Sequence, residues 1–229
     1  MPDGPGAAGL DQETGVLGEL SLARSSIDRA AHHRADTEWV AAAWADQASR
    51  VLVLDHGQAL VSFVGDAAEL KLVPPGEAPE GVRFLLGADD AGIAYFGVDG
   101  PRGGLGAGPL PGPGSAPAVP PEPGIRPAGL RQAGPLLGDR DAGLFTQAVA
   151  LANWHATHTH CPRCGAATVP ILAGHARRCP VDDSEHFPRV DPAVIMLITD
   201  DNDRCLLARN RTWPARRVSI LAGLSLIHI

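Results

Sequence analysis

Three of the chain's four cysteines fall in one short stretch, "CPRCGAATVPILAGHARRC", from Cys161 to Cys179. No other feature restricts the fold as tightly, because thiolates at this spacing converge on one ion. In the C-x2-C pair Cys161 and Cys164, a tight turn aims two sulfurs at one point. Gly165 permits that turned backbone and Pro162 stiffens it. A second knuckle ending in cysteine would complete the zinc-ribbon pattern C-x2-C-x14-C-x2-C, but the fourth slot holds Asp182. Carboxylate oxygen and imidazole nitrogen both bind zinc at about 2.0–2.2 Å. Asp182 is therefore one candidate for the fourth ligand, and His186 is another if the loop folds back. His160 and His175 rank lower, since neither occupies the second knuckle. Cys205 lies in an expected strand and reads as a small core residue. A closed four-ligand site holds a ribbon together and leaves no open position for a substrate. The competing reading is a ribbon that keeps its fold after losing its metal.

Composition bears on the partners and the compartment. The formal net charge is -7, with no block of like charges, which argues against a general nucleic-acid binder but leaves room for a pocket with a few arginines. No stretch approaches the roughly 18–20 apolar residues that span a bilayer, and the N-terminus lacks the basic and apolar regions of an export signal. The expectation is no membrane partner and a cytoplasmic location, where clustered cysteines bind metal more often than they pair.

The fold class expected is α+β. Residues 1–15, rich in Gly, Pro and Asp, read as a disordered tail, and 16–138 as a β-rich domain. Within it "RVLVLDHGQALVSF" and "VRFLLGADDAGIAYFGVD" each give two apolar runs around a turn, at Asp55–Gly57 and near Asp89–Gly92. Ahead of both, "DTEWVAAAWADQAS" suggests a short helix with Trp39, Ala42, Ala43 and Asp46 on one face. Residues 100–124 contain 16 glycines and prolines among 25 residues, which reads as a flexible insertion. A connecting helix is expected over 139–160, capped by Asp139 or Asp141, with Phe145, Ala148, Val149 and Ala152 as its apolar stripe. Trp154 and His155 read as packing residues on that helix. The ribbon occupies 161–187. From 188 to 229 the pattern is an apolar strand at Ala193–Ile198, buried on both faces, then an acidic turn, a strand containing Cys205, and a third strand in "RRVSILAG".

The order "WHATHTHCPRCG…RRC…HFPRVDPAVIMLI…CLLARN…W…VSILAG" resembles the NADH pyrophosphatase branch of the Nudix hydrolases. The resemblance implies a β-rich N-terminal domain, a zinc ribbon with structural Zn2+, and the beginning of a Nudix α/β/α sandwich at 188–229. It implies hydrolysis of NADH or NAD+ to nicotinamide mononucleotide and AMP, with removal of an NAD cap from RNA as the same chemistry. It also implies Mg2+ or Mn2+ as catalytic cofactor and a homodimer. The family motif is G-x5-E-x7-R-E-U-x-E-E-x-G-U, where U is a bulky aliphatic residue. Its clustered carboxylates hold hard cations that neutralise pyrophosphate oxygens and activate water. Gly223 matches the first glycine, and Ala222 corresponds to the residue whose backbone carbonyl meets a metal. Phe187 corresponds to the substrate-contacting aromatic, where tyrosine is more usual; packing under the ribbon is its other reading. Six residues after Gly223, where the family has its first glutamate, stands Ile229. No catalytic residue of the motif can be assigned. The expectation is a reading frame cut short or continued into foreign sequence, and a chain that is inactive as given. The rival reading is a non-catalytic zinc-ribbon module that binds a nucleotide or a partner.

Overall fold

Apolar side chains at consecutive positions of a strand point to opposite faces, so a run such as Val51–Leu52 needs a covering layer on each side. The computed structural model describes residues 20–100 and 124–224 and supplies both layers. The elements, in chain order, are α1 (Thr37–Ala45), β1 (Arg50–Leu54), β2 (Gln58–Val64), β3 (Ala67–Leu70), β4 (Leu72–Val73), β5 (Val82–Ala88) and β6 (Ala94–Asp99). They continue with β7 (Ile125–Gly129), α2 (Leu130–Ala133), α3 (Asp139–Thr157), β8 (Val169–Ile171), β9 (Ala176–Arg178), β10 (Glu185–His186), β11 (Ala193–Met196) and β12 (Leu221–Leu224). This is a mixed α+β architecture. It divides into residues 1–187 and 188–229. The expected tail at 1–15, nearly all of the Gly/Pro stretch, and the last five residues lie outside the described residues.

In the first unit one sheet has the order β4-β1-β6-β5, with β1 and β6 parallel and the other pairs antiparallel. On one face Leu52, Leu54, Phe84 and Leu86 join Leu144, Phe145 and Ala148 of α3 in a single core. On the other, Val51, Leu85, Phe96 and Val98 pack with Trp39, Val40, Ala43 and Trp44 of α1. The period-two alternation thus feeds two cores at once, and each fully buried Leu or Phe contributes about 1.5–3 kcal/mol. The face of α1 differs from the one read from sequence: Trp39, Val40, Ala43 and Trp44 turn inward, while Asp46 is the exposed C-cap residue. The larger indole of Trp44 buries more apolar area than Ala42 could, so it sets the helix rotation. Asp36 caps this helix, accepting from the Trp39 N–H at 2.9 Å.

The turn expected at Asp55–Gly57 is present, with His56 at φ 52° and Gly57 at φ 72°, but it joins two sheets rather than two strands of one. β2 pairs with β3 and β7 in a separate three-stranded sheet. Neither expected aspartate caps α3. Its N-cap is Gly138, with no side-chain cap. Asp141 instead reaches sideways, accepting from the Leu70 N–H at 2.9 Å and from Arg140 Nε at 2.7 Å. A buried carboxylate is better satisfied by those two donors than by its own helix end.

Residues 188–224 behave differently. β11 and β12 form an antiparallel pair, with Val194 opposite Gly223 and Ile195 opposite Ala222. The expected doubly buried strand at Ala193–Ile198 is shorter, and all four of its strand residues are exposed. The expected strand through Cys205 is reduced to isolated bridges, Thr199 with Cys205 and Ala208 with Ser219, and Cys205 is exposed rather than in a core. A two-stranded ladder has no second layer among the described residues of this unit, so apolar side chains here have nothing to pack under. No described helix is long and apolar enough to cross a membrane.

Candidate metal centre

The ribbon folds as two copies of one local turn. In the first knuckle Gly165 N–H donates to Cys161 O at 2.9 Å, and Cys161 N–H donates to Ala166 O at 2.8 Å. In the second, Asp183 N–H donates to Cys179 O at 3.0 Å, and Cys179 N–H donates to Ser184 O at 2.9 Å. Gly165 and Asp183 hold matching left-handed backbones, at φ 78° and 56°. Each knuckle therefore has the same hydrogen-bond register, and Asp182 stands where the first knuckle has Cys164. Aspartate at 183 tolerates the left-handed conformation better than most residues with a Cβ.

One ligand atom from each of Cys161, Cys164, Cys179 and Asp182 lies within 4.8 Å of the others. The Cys164 and Cys179 sulfurs are 3.4 Å apart, and Cys161 Sγ is 3.5 Å from Asp182 Oδ2. None of the cysteines forms a disulfide. Zinc–sulfur bonds of about 2.3 Å in a tetrahedron put sulfurs a little under 4 Å apart, so the donor set and its spacing fit zinc. His186 is not in this group; its Nε2 lies 3.1 Å from Ser184 Oγ. Ser184 also donates to Asp182 Oδ1 from its N–H at 3.1 Å and from its hydroxyl at 2.5 Å, which orients the carboxylate toward the sulfurs. These donors hold the Asp182 carboxyl well below the usual carboxylate range. The Ser184 hydroxyl and neighbouring N–H groups lower the Cys161 thiol to about 6, whereas burial pushes Cys179 up to about 11. Metal binding must therefore displace a proton from Cys179 at neutral pH.

The ribbon is also fastened to α3 and to β5 by two histidines, one read from the sequence as a packing residue and the other ranked low as a ligand. His155, 4% exposed, sits between Gly174 O at 2.8 Å from Nε2 and Arg177 Nη1 at 2.8 Å from Nδ1. Arginine can only donate, so Nδ1 must accept and Nε2 must carry the proton; the ring is neutral. Arg177, 8% exposed, also donates to Thr168, at 2.7 Å to the hydroxyl and 2.6 Å to the carbonyl. His175 Nε2 donates to Leu85 O at 2.6 Å, which takes this histidine away from the sulfurs and onto β5. Burial holds its pKa down to about 4, and burial likewise lowers His155. Gly174 completes the contact: at φ +86° a Cβ there would stand 2.5 Å from Arg83 O. No local pattern marked this network, because its partners are distant in sequence.

Phe187 follows β10 and is 54% exposed, so it does not pack under the ribbon. Ala222 and Gly223 lie within β12. Among the described residues the ribbon cluster is the one group of three or more metal-capable side chains, so no carboxylate set stands ready for a hard cation at Ala222. The donor set present does not fit Mg2+ or Mn2+ there.

Residues 156–187 match the model of the NADH pyrophosphatase zinc ribbon domain. The NAD-capped RNA hydrolase NudC of Mycobacterium tuberculosis (strain ATCC 25618 / H37Rv) is 37% identical over 209 residues, covering 88% of this chain and 60% of the relative. The family-model match is confined to the ribbon, whereas the likeness to the mycobacterial relative runs through most of this chain. The mitochondrial NAD(P)H pyrophosphatase NUDT13 of Homo sapiens is 42% identical over 94 residues, 41% of this chain and 26% of that protein. The chain spans 60% of the length of the mycobacterial relative.

Proposed function

We propose that this chain belongs to an enzyme that hydrolyses the pyrophosphate of NADH or NAD+ to nicotinamide mononucleotide and AMP, and by the same reaction removes an NAD cap from RNA, and that the 229 residues by themselves do not carry out the reaction. The observation that carries this reading is the paired-knuckle ribbon, matched as an NADH pyrophosphatase ribbon in a chain 37% identical to an NAD-capped RNA hydrolase along most of its own length. Cys161, Cys164, Cys179 and Asp182 hold a structural zinc that fixes the ribbon against β5. Phe187, exposed at the end of the ribbon, offers a ring face to a base. Hydrolysis of a pyrophosphate would draw on Mg2+ or Mn2+ to neutralise its charge and activate water, and the described residues at Ala222 and Gly223 do not supply the carboxylates to hold either ion. The carboxylates for it are those of the family motif, and the six residues after Gly223 include no glutamate. The protein works in the cytoplasm as a homodimer.

The test compares the 229-residue chain with a fusion that continues from Gly223 into the motif segment of the mycobacterial relative. With Mg2+ or Mn2+ the fusion should release AMP from NADH and from NAD-capped RNA, and the 229-residue chain should not. A folded, zinc-loaded fusion that turns over neither substrate would overturn the reading. Turnover by the short chain, free of contaminating enzyme, would remove the chemistry from the motif glutamates.

A further inference from the structure

A cavity of about 810 Å³ opens in the first unit between α1, the strands β5 and β6, and the 3-10 turn Leu172–Gly174 of the ribbon. It lies within the range of roughly 300–1,000 Å³ typical of small-molecule sites. Its apolar wall includes Trp44, Leu85 and Phe96, and its charged lining consists of arginines alone: Arg34, Arg83 and Arg178, with no carboxylate among the lining residues. In a chain of net charge -7, that local excess runs against the average.

The three arginines are not equivalent. Arg178 is already committed, to Glu185 at 2.7 Å and Asp183 at 3.6 Å. Arg34 and Arg83 make no ion pair among the described residues. Arg83 lies flat over the Trp44 ring, its guanidinium carbon 4.1 Å from the ring centroid, in a stack that holds the planar group in place. Trp44 is braced in turn by the edge of Phe96, with centroids 5.2 Å apart. The Nε of Arg34 is shielded from solvent and has no hydrogen-bond partner. One of its terminal nitrogens donates to Arg29 O at 3.2 Å, and the other terminal N–H groups are the ones available to a ligand in the cavity that Arg34 lines. The ribbon side of the cavity is Leu172 and Ala173, both in left-handed backbone at φ 51° and 49°. Residues with side chains seldom adopt that conformation, and it is flanked here by the contacts of Gly174 O with His155 of α3 and of His175 with Leu85 of β5.

We propose that this cavity binds a nucleoside monophosphate, its base stacked on the Arg83–Trp44 pair and its phosphate taken by Arg34 and Arg83. A flat guanidinium on an indole accepts a base on its face, and guanidinium N–H groups match phosphate oxygens. The ligand class is set by needing both an aromatic plane and an anion. This site is separate from the pyrophosphate chemistry proposed above, and either proposal can fail without the other.

The test is calorimetric titration of the zinc-loaded 229-residue chain with AMP, adenosine and ribose 5-phosphate. AMP should bind saturably with a Kd below about 1 mM, and each fragment should bind at least about tenfold more weakly. R83Q and R34Q should each weaken AMP about tenfold or more, and R83K, which keeps the charge but loses the plane, should also weaken it. Zinc content and thermal melting check that each variant is folded. Arg83 is exposed on β5, so R83Q and R83K decide the matter if R34Q fails to fold. Absence of saturable AMP binding overturns the proposal. So does equal binding of AMP and ribose 5-phosphate, or unchanged binding in folded R83Q and R83K.

Discussion

Two apolar runs of similar character have opposite fates in this molecule. Phe84, Leu85 and Leu86 of β5 are fully buried, whereas Val194, Ile195 and Met196 of β11 are exposed, Ile195 by 72%. The difference lies in what covers them. β5 stands in a four-stranded sheet with α3 on one face and α1 on the other, while β11 has one partner strand. Hydrophobic sequence is a demand for burial, and only a second layer meets it.

The largest test of this contrast is metal removal. Structural zinc contributes on the order of 10 kcal/mol to folding of small zinc domains, so C179S should lose most of the one zinc per chain, as read by elemental analysis. Hydrogen exchange should then rise through 161–187 and leave 193–196 unchanged. Asp182→Ala should weaken zinc retention more than His175→Ala, since His175 faces Leu85. A metal-free chain that folds unchanged would remove the structural zinc from the account.

A second test cuts at the strands themselves. Phe84→Ala should cost about 3–5 kcal/mol in denaturant unfolding through lost burial and a cavity. Ile195→Ala should stay within about 0.5 kcal/mol. Comparable losses at the two positions would abolish the contrast.

Acid should act on the covered region. His175 titrates near 4 in the folded chain against an ordinary 6.5, because burial disfavours its charged form. Below about 6.5 the unfolded chain binds a proton that the folded chain refuses. Stability present above pH 6.5 is therefore lost as pH falls toward 4, by up to roughly 3 kcal/mol. His155 shifts in the same direction. Urea midpoints measured from pH 7.5 to 4.5 should fall more steeply for the unaltered chain than for His175→Gln. Parallel curves would show that this imidazole is not the group responsible.

The smallest effect expected is on solubility. Ile195→Glu should leave the melting temperature of the first unit in place and reduce aggregation measured by light scattering, since an exposed apolar strand invites edge pairing. Greater aggregation in this variant would mean that Ile195 is covered in solution.

Much of the ribbon was legible because its contacts are short-range. A C-x2-C turn closes over four or five residues, and the same bonds recur over Cys179–Ser184, so spacing alone grouped three thiolates, while the choice between Asp182 and His186 waited on the fold, which sets Asp182 beside the sulfurs. The turn at Asp55–Gly57 was legible for the same reason. The face of α1 and the cap of α3 were misread because competition decided them. Trp44 took the inward place expected for Ala42, and Asp141 found better donors in Leu70 and Arg140 than in its own helix end.

The sequence by itself determined the knuckles, the strand alternation and the family resemblance, all of which depend on spacing between near neighbours. Only the tertiary structure decided which apolar runs are covered, that β1 and β2 part into different sheets, and that His175 crosses to Leu85, 90 residues away. It also placed Arg177 between His155 and Thr168, and brought Arg34, Trp44 and Arg83 together around one cavity. The physical reason is that a buried polar group or an apolar face takes whichever partner the packed chain delivers, and distance along the sequence carries no record of that partner.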